Sequence, residues 1–113
     1  MRRAMVTAAV LVVAMLGAGA VVAADSGVEI PLVIEKNRFQ PDVLKVKAGA
    51  PFVIVITNKD KTPEEFDMLR PRIEKVIPAG KTVRLQMPAL PAGKYPFVGE
   101  YHAETAKATI VAE

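Results

Sequence analysis

The sequence contains no cysteine and no tryptophan, and it contains a single histidine, His102. Without cysteine, the chain can form neither a disulfide bond nor a thiolate nucleophile or thiolate metal ligand. No glycine-rich phosphate loop and no G-x-S-x-G elbow is present, and no local motif supports a Ser-His-Asp triad around the lone histidine. An ordinary hydrolase is therefore not expected.

Aromatic residues and excess charge are also scarce. The chain has four Phe and two Tyr, and its first 24 residues hold two of the 15 basic residues and none of the 12 acidic ones. The remainder is nearly neutral. Because nucleic-acid binding requires a basic surface or stacking aromatics, no nucleic-acid partner is expected.

The start of the chain has the pattern of a secretory signal peptide. Arg2 and Arg3 form a basic region, an apolar run extends from Ala4 to Leu16, and Val22-Ala23-Ala24 offers small residues for cleavage. A retained membrane anchor is the alternative. Cleavage is favoured because glycines interrupt the end of the apolar run and a polar, turn-prone segment follows it.

We therefore expect a signal peptide over residues 1–24 and one domain over residues 25–113. About 89 residues suffice for one small domain with one core. The expected location is the periplasm, with no stable membrane insertion after cleavage.

The rest of the chain is dominated by strand patterns, and no segment sustains a helical period. Six segments qualify: VEIPLVIE, DVLKVKAG, PFVIVITN, KTVRLQMP, AGKYPFVG and KATIVAE. Short strands separated by turn residues predict an all-β fold, namely a Greek-key sandwich or small barrel of six to eight strands. The residues expected in its core are Phe39, Phe52, Ile54, Ile56, Phe66, Val83, Leu85 and Phe97.

The segment from Asn58 to Gly80 does not follow this pattern. It is rich in charge and proline, and we expect a long functional loop or a short helix around residues 58–80. A helical turn after Pro63 would place Glu65 and Met68, three residues apart, on one side.

Metal-ligating side chains are concentrated in two connections of the predicted sandwich. If the strands that precede these connections end at the same edge, the two groups meet. The first group contains Asp60, Glu64, Glu65, Asp67 and Met68, and the second contains Glu100, His102 and Glu104.

Each group also has a simpler interpretation, as a solvated charged surface or as a loop histidine bonded to the backbone. Taken together, the two groups favour a metal site. Imidazole suits iron, copper and zinc, carboxylates add anionic stabilisation, and a Met thioether favours Cu(I).

The motifs resemble those of the cupredoxins over about residues 28–113. The segment NRFQPDVLKVKAGAPFVIVITN is similar to the F-x-P-x-x-L-x-V-x-x-G motif with which that family usually begins. The segment PFVIVITNKDKTPEEF resembles its first ligand loop, and YPFVGEYHAETAKATIV resembles its C-terminal copper loop. The resemblance implies a Greek-key β-sandwich of cupredoxin type.

The copper ligands themselves are mostly missing. The resemblance places four residues at the ligand positions: Glu64 (first histidine), Gly99 (cysteine), His102 (second histidine) and Ala106 (axial methionine). A blue-copper site needs two His and one Cys with a weak axial donor. A blue-copper electron carrier is therefore excluded.

A narrower group of cupredoxin-like proteins is more similar. These are the periplasmic proteins that accompany high-affinity ferrous-iron permeases, with motifs of the form T-P-E-E-F-E-S, E-K-V-I-P-x-G and Y-x-F-F-G-E-F-H-x-x-T-A. This chain has Thr62 to Met68, Glu74 to Gly80 and Tyr95 to Ala106 at the corresponding places. Asp67 and Met68 replace the Glu-Ser pair of the first motif.

This resemblance implies a periplasmic protein that binds iron and/or copper and acts in iron uptake. Ferroxidase-like oxidation of Fe(II) for an inner-membrane permease, with a partner periplasmic iron-binding protein, is the expectation. The alternatives are a metal carrier without redox turnover and a metal-free sandwich that serves as an interaction module. The expected metal ligands are Glu64, Glu65, Met68, Glu100 and His102, with Asp67 as a weaker candidate.

Overall fold

In a computed structural model of the protein, which describes residues 27–113, the chain forms nine β-strands in two sheets. The strands are β1 (Val28–Glu35), β2 (Arg38–Gln40), β3 (Val43–Val46), β4 (Phe52–Asn58), β5 (Glu64–Met68), β6 (Ile73–Ile77), β7 (Thr82–Met87), β8 (Gly93–Gly99) and β9 (Lys107–Ala112). A 3-10 turn, Glu100–His102, follows β8. The predicted all-β sandwich is confirmed, with one strand more than the upper expectation. The predicted signal peptide lies outside the described residues.

The sheets have the orders β2-β1-β4-β7 and β3-β9-β8-β5-β6. β4 is the most apolar strand and lies inside the first sheet, parallel to β1 and antiparallel to β7. Pro31 is tolerated in β1 because β2 pairs only with Val33, Ile34 and Glu35, so the backbone beside the proline needs no donor on that side. Within residues 27–113, no helix is long and apolar enough to cross a membrane.

The core contains side chains from both sheets. Seven of the eight predicted core residues are buried, and Val83 packs against them half-buried. Phe97 joins the layers because its ring stacks on Phe66 at a centroid distance of 4.5 Å and meets Phe39 edge-on at 5.0 Å. Such aromatic pairs stabilise a core beyond the effect of their buried area.

The segment 58–80 is a β-hairpin rather than a loop or a helix. β5 and β6 pair antiparallel, with Asp67 opposite Glu74. β5 also pairs with β8, with Phe66 opposite Gly99. The prediction for this segment was wrong because β5 alternates buried and half-buried residues, and one of its buried positions carries the charged residue Glu64.

Asn58 fixes the entry to this hairpin. Its side chain is fully buried, and its amide nitrogen donates to the carbonyl oxygens of Thr62 at 2.9 Å and Ile77 at 3.1 Å. Its amide oxygen accepts a hydrogen bond from the Asp60 backbone at 2.9 Å. The Asp60 carboxylate in turn accepts from the backbone nitrogens of Lys36 and Asn37. Asp60, an oxygen donor of the first predicted group, is thus used to hold two turns together.

Candidate metal centre

The alternation of β5 separates its side chains into two sets. Glu64, Phe66 and Met68 point inward and are buried, whereas Glu65 and Asp67 lie half-buried on the outer face. The expectation that Glu65 and Met68 share one side was wrong, because the segment is a strand and residues three apart lie on opposite faces. Met68 is fully buried in the apolar core opposite Phe97.

Glu64 is a carboxylate with only 1% of its surface exposed. One carboxylate oxygen accepts hydrogen bonds from the backbone nitrogens of Glu65 at 3.0 Å and Tyr101 at 2.9 Å. The other lies 2.8 Å from Nδ1 of His102. Since a buried charge is costly unless it is hydrogen-bonded, these three contacts explain how a carboxylate occupies this position.

The same contacts determine the tautomer of His102. Two backbone donors already converge on the Glu64 carboxylate, which acts as an acceptor only, so Nδ1 carries the ring proton and donates it to Glu64. When the ring is neutral, Nε2 holds the free lone pair. The imidazole is 27% exposed. A neutral ring with one free nitrogen, oriented by a carboxylate, is a common arrangement for a metal-binding histidine.

Gly99 makes room for this pair. A Cβ atom at Gly99 would lie 2.5 Å from Cδ of Glu64 and 2.8 Å from Cβ of Ala106. Both distances are well below van der Waals contact, so a side chain at this position would displace the carboxylate. Gly99 has an ordinary extended backbone, with φ −89° and ψ 109°, and the requirement for glycine is therefore one of space.

A second group of carboxylates, the acidic cluster, lies on the outer face of the second sheet. It contains Asp67, Glu74 and Glu100, whose carboxylate oxygens all lie within 4.8 Å of one another. The β5–β6 register places Asp67 beside Glu74, and Glu100 follows Gly99 at the end of β8. Glu65 and His102 lie outside this group.

The charges of the cluster are incompletely compensated. Arg72 pairs with Glu74 at 2.6 Å, but its other terminal nitrogen lies 3.6 Å from Oδ1 of Asp67, beyond hydrogen-bond length. Among the described residues no donor reaches this buried oxygen. A hydrogen bond and the charge of Asp67 raise the pKa of Glu100 above its ordinary value of 4.5, and Glu65 and Glu74 raise it further. The cluster therefore attracts a proton or another cation.

This shift predicts a pH dependence of stability in metal-free protein. Because the pKa of Glu100 is raised in the folded state, protonation of this residue stabilises the folded protein. This stabilisation is fully present at pH values below the ordinary pKa of 4.5 and is lost as pH rises through the raised pKa. Glu100→Gln should remove this component and increase stability at neutral pH. Urea unfolding of the wild-type and Glu100→Gln proteins, from pH values below 4.5 to neutral pH, measures the change in the free energy of unfolding.

Glu104→Gln is the matched control, because Glu104 is an exposed carboxylate on the same connection. It should retain the wild-type pH dependence. An identical pH dependence in wild type and Glu100→Gln would contradict the repulsion between Glu100 and its neighbours.

The sequence-based candidates thus divide into three places. Glu64 and His102 contact each other, Glu65 and Glu100 lie at or near the acidic cluster, and Met68 lies in the core. Sequence reasoning missed Glu74 as a possible ligand. Its strand, IEKVI, has no regular alternation, and only the register of β5 and β6 brings Glu74 beside Asp67.

The four residues at the blue-copper ligand positions do come together, but they do not fit copper in that form. Glu64 contacts His102, and a Cβ of Gly99 would contact both Glu64 and Ala106. No thiolate or thioether is present among them, and the inward nitrogen of the imidazole is hydrogen-bonded to a carboxylate. At the two positions that the resemblance assigns to the copper histidines, the structure has a hydrogen bond between the side chains of Glu64 and His102.

Comparison with known proteins agrees with this architecture. Residues 5–112 match the model of the cupredoxin-like domain family. An uncharacterised protein of Rickettsia prowazekii (strain Madrid E) is 28% identical over 87 residues, which cover 77% of this chain and 70% of that protein.

Two solved structures illustrate the fold. Auracyanin A, a blue copper protein of Chloroflexus aurantiacus, has a TM-score of 0.67 at 16% identity and covers 78% of this chain and 100% of its own. The metal-binding domain of the Streptococcus pneumoniae Cu(I)-exporting P-type ATPase has a TM-score of 0.65 at 15% identity and covers 79% of this chain and 89% of its own. At these identities the likeness concerns the fold alone, and it confirms a sandwich of cupredoxin type. The chain belongs to the cupredoxin-like domain family.

Proposed function

We propose that this protein is a periplasmic metal-binding protein that takes iron, or copper, at the acidic cluster and acts in iron uptake. The observation that carries the proposal is the approach of three carboxylates to within 4.8 Å of one another, with one buried oxygen of Asp67 lacking a donor. A bound cation would relieve the repulsion that raises the pKa of Glu100. Glu65 lies outside the cluster, but its charge also raises the pKa of Glu100.

The donors of the cluster fit a hard ion better than Cu(I). Carboxylate oxygens are hard donors, whereas Cu(I) selects sulfur ligands; Cu(II) would still bind such oxygens, so the choice of iron depends on which metal is supplied. Met68 is buried in the core and His102 lies outside the cluster, so neither supplies a softer donor there. An anionic oxygen shell stabilises Fe(III) more than Fe(II), which supports ferroxidase-like oxidation as the finer proposal.

The proposed partners come from the resemblance to periplasmic proteins that accompany ferrous-iron permeases. We propose that iron passes from the acidic cluster to an inner-membrane permease, with a second periplasmic iron-binding protein. The carrier alternative differs only in the absence of turnover. Oxygen consumption on addition of Fe(II) distinguishes the two, because a carrier binds the ion without consuming oxygen.

Calorimetric titration with anaerobic Fe(II), Cu(II) and Mn(II) tests the metal site. We expect about one ion per chain, and we expect Asp67→Asn or Glu100→Gln to weaken binding about tenfold or more, since each removes a charged oxygen donor. Mn(II) serves as a redox-inactive hard ion. If copper bound more tightly than iron and kept its affinity in both variants, the metal site would lie outside the acidic cluster.

Glu104→Gln is again the control and should change the affinity less than about twofold, in keeping with a solvated surface charge. The absence of saturable binding to wild-type protein would contradict the proposal. It would favour the metal-free interaction module, a second candidate supported by the hydrogen bond between Glu64 and His102.

A further inference from the structure

Glu64 connects two parts of the chain that are distant in sequence. It opens β5, while its partners Tyr101 and His102 belong to the turn after β8, 37 and 38 residues away. Because its carboxylate is 99% buried and makes three hydrogen bonds, it occupies one defined position. The turn is therefore attached to β5 by a side chain as well as by the sheet.

The turn is also fixed at its other end. The Gly99 nitrogen donates to the carbonyl oxygen of Ala106 at 2.9 Å, and the Ala106 nitrogen donates to the carbonyl oxygen of His102 at 2.9 Å. Thr105 donates to the same His102 oxygen at 3.1 Å. These bonds close the connection between β8 and β9 on itself, and the Thr105 hydroxyl also donates to the carbonyl oxygen of Asn37. The Glu64 carboxylate is the side chain that attaches it to β5.

Glu100 lies between the two points of attachment. Gly99, before it, pairs with Phe66 of β5, and the nitrogen of Tyr101, after it, donates to Glu64. Asp67 lies on the same strand as Glu64, three residues further along. The hydrogen bonds of Glu64 thus help to fix the backbone of Glu100 beside the strand that carries Asp67.

We infer that Glu64 is a positioning residue of the proposed metal site and not a ligand: its carboxylate holds the turn and the Nδ1–H tautomer of His102, and so places Glu100 in the acidic cluster. This inference rests on the proposed function. Three of the about four lone-pair positions of the carboxylate accept hydrogen bonds from the protein, and only 1% of the residue is exposed, so little of Glu64 is open to an ion.

Glu64→Gln and Glu64→Ala separate the two roles of Glu64, which are to hold the turn and to hold the tautomer of His102. The glutamine keeps a carbonyl oxygen for the backbone nitrogens of Glu65 and Tyr101 but presents an NH₂ group to His102. The ring must then accept at Nδ1 and carry its proton on Nε2. Alanine removes both contributions. Glu65→Gln, on the outer face of the same strand, is the control for the loss of a charge.

The first readouts need no metal. In wild type, the ¹⁵N chemical shifts of His102 should report a protonated Nδ1, and the Tyr101 amide should be protected from hydrogen exchange. Glu64→Gln should reverse the tautomer and retain the protection, whereas Glu64→Ala should accelerate Tyr101 exchange about tenfold or more. Glu65→Gln should change neither.

The second readout is the affinity for Fe(II) or Mn(II). Glu64→Gln should weaken binding less than about threefold and Glu64→Ala about tenfold. Loss of binding in Glu64→Gln with Tyr101 still protected would show that Glu64 is a ligand and overturn the inference, as would unchanged Tyr101 exchange in Glu64→Ala. If Glu64→Ala does not fold, Glu64→Gln decides, because it keeps the side-chain volume.

The two proposals fail in different ways. If wild type binds no ion while the tautomer and exchange results hold, the proposed function is wrong and the control of the turn by Glu64 stands. If wild type binds an ion and its His102 carries the proton on Nε2, the arrangement inferred for Glu64 is wrong while the metal site stands.

Discussion

Gly99→Ala should destabilise the protein by about 2–3 kcal/mol, in the upper part of the range of about 1–3 kcal/mol for forcing an extra methyl group into a packed site. The new Cβ would lie 2.5 Å from Cδ of Glu64, 2.6 Å from Oε2 of the same side chain and 2.8 Å from Cβ of Ala106. None of these neighbours moves cheaply, because Glu64 is held by three hydrogen bonds and Ala106 is fully buried. Urea unfolding measures the free energy of unfolding.

Gly27→Ala is the matched control. Its Cβ would meet only the Pro51 carbonyl oxygen at 3.7 Å and the Phe52 Cα at 3.8 Å, which are ordinary contacts, so its effect should stay within about 0.5 kcal/mol. The double variant Glu64→Ala with Gly99→Ala should cost less than the sum of the two single changes, because removing the carboxylate relieves most of the clash. Strict additivity would contradict the contact between Glu64 and Gly99.

The second large effect is the creation of a blue copper centre. The variant Glu64→His, Gly99→Cys and Ala106→Met restores two histidines, one thiolate and a weak axial thioether at four positions that already converge. His102 already directs Nδ1 to the inside of this group. Addition of Cu(II) should produce the intense visible colour of a copper–thiolate centre, which wild-type protein should not show.

This result requires the connection after β8 to move outward slightly, because the Cβ atoms at positions 99 and 106 would otherwise lie 2.8 Å apart. The corresponding variant with Gly99→Ser, which has the same bulk and no thiolate, should bind copper without the colour. A folded triple variant that binds Cu(II) and remains colourless would show that the four positions do not converge as described.

The strands that bury a regular apolar face could be predicted from the sequence. All six predicted segments form strands, and β4 is buried along nearly its whole length. In these segments the alternation of apolar and polar residues decides which face is inside, and this information is local.

The hairpin of β5 and β6 was missed because one inward position carries a carboxylate. Glu64, Phe66 and Met68 form the buried face of β5, but a glutamate at the first position made the segment look like a charged loop. The partners that permit Glu64 to be buried lie 37 and 38 residues away. Local sequence patterns cannot indicate a hydrogen bond of that range.

The candidate site was found only in outline for the same reason. Glu100 and His102 were selected as neighbours in one connection, yet Glu100 lies in the acidic cluster and His102 contacts Glu64. Glu74 joins the cluster through the register of β5 and β6, which follows from the hairpin and not from spacing along the chain. The role of Gly99 becomes visible only when the buried carboxylate opposite it is known.

We expect this protein to bind its ion among the outer carboxylates and not at the positions that the resemblance assigns to copper. Anomalous diffraction from crystals soaked in Fe(II) under anaerobic conditions locates the ion directly. A single anomalous peak is expected in contact with Asp67, Glu74 and Glu100, with the hydrogen bond between Glu64 and His102 intact. A peak between Glu64 and His102, with the acidic cluster bound to nothing but solvent, would contradict this expectation.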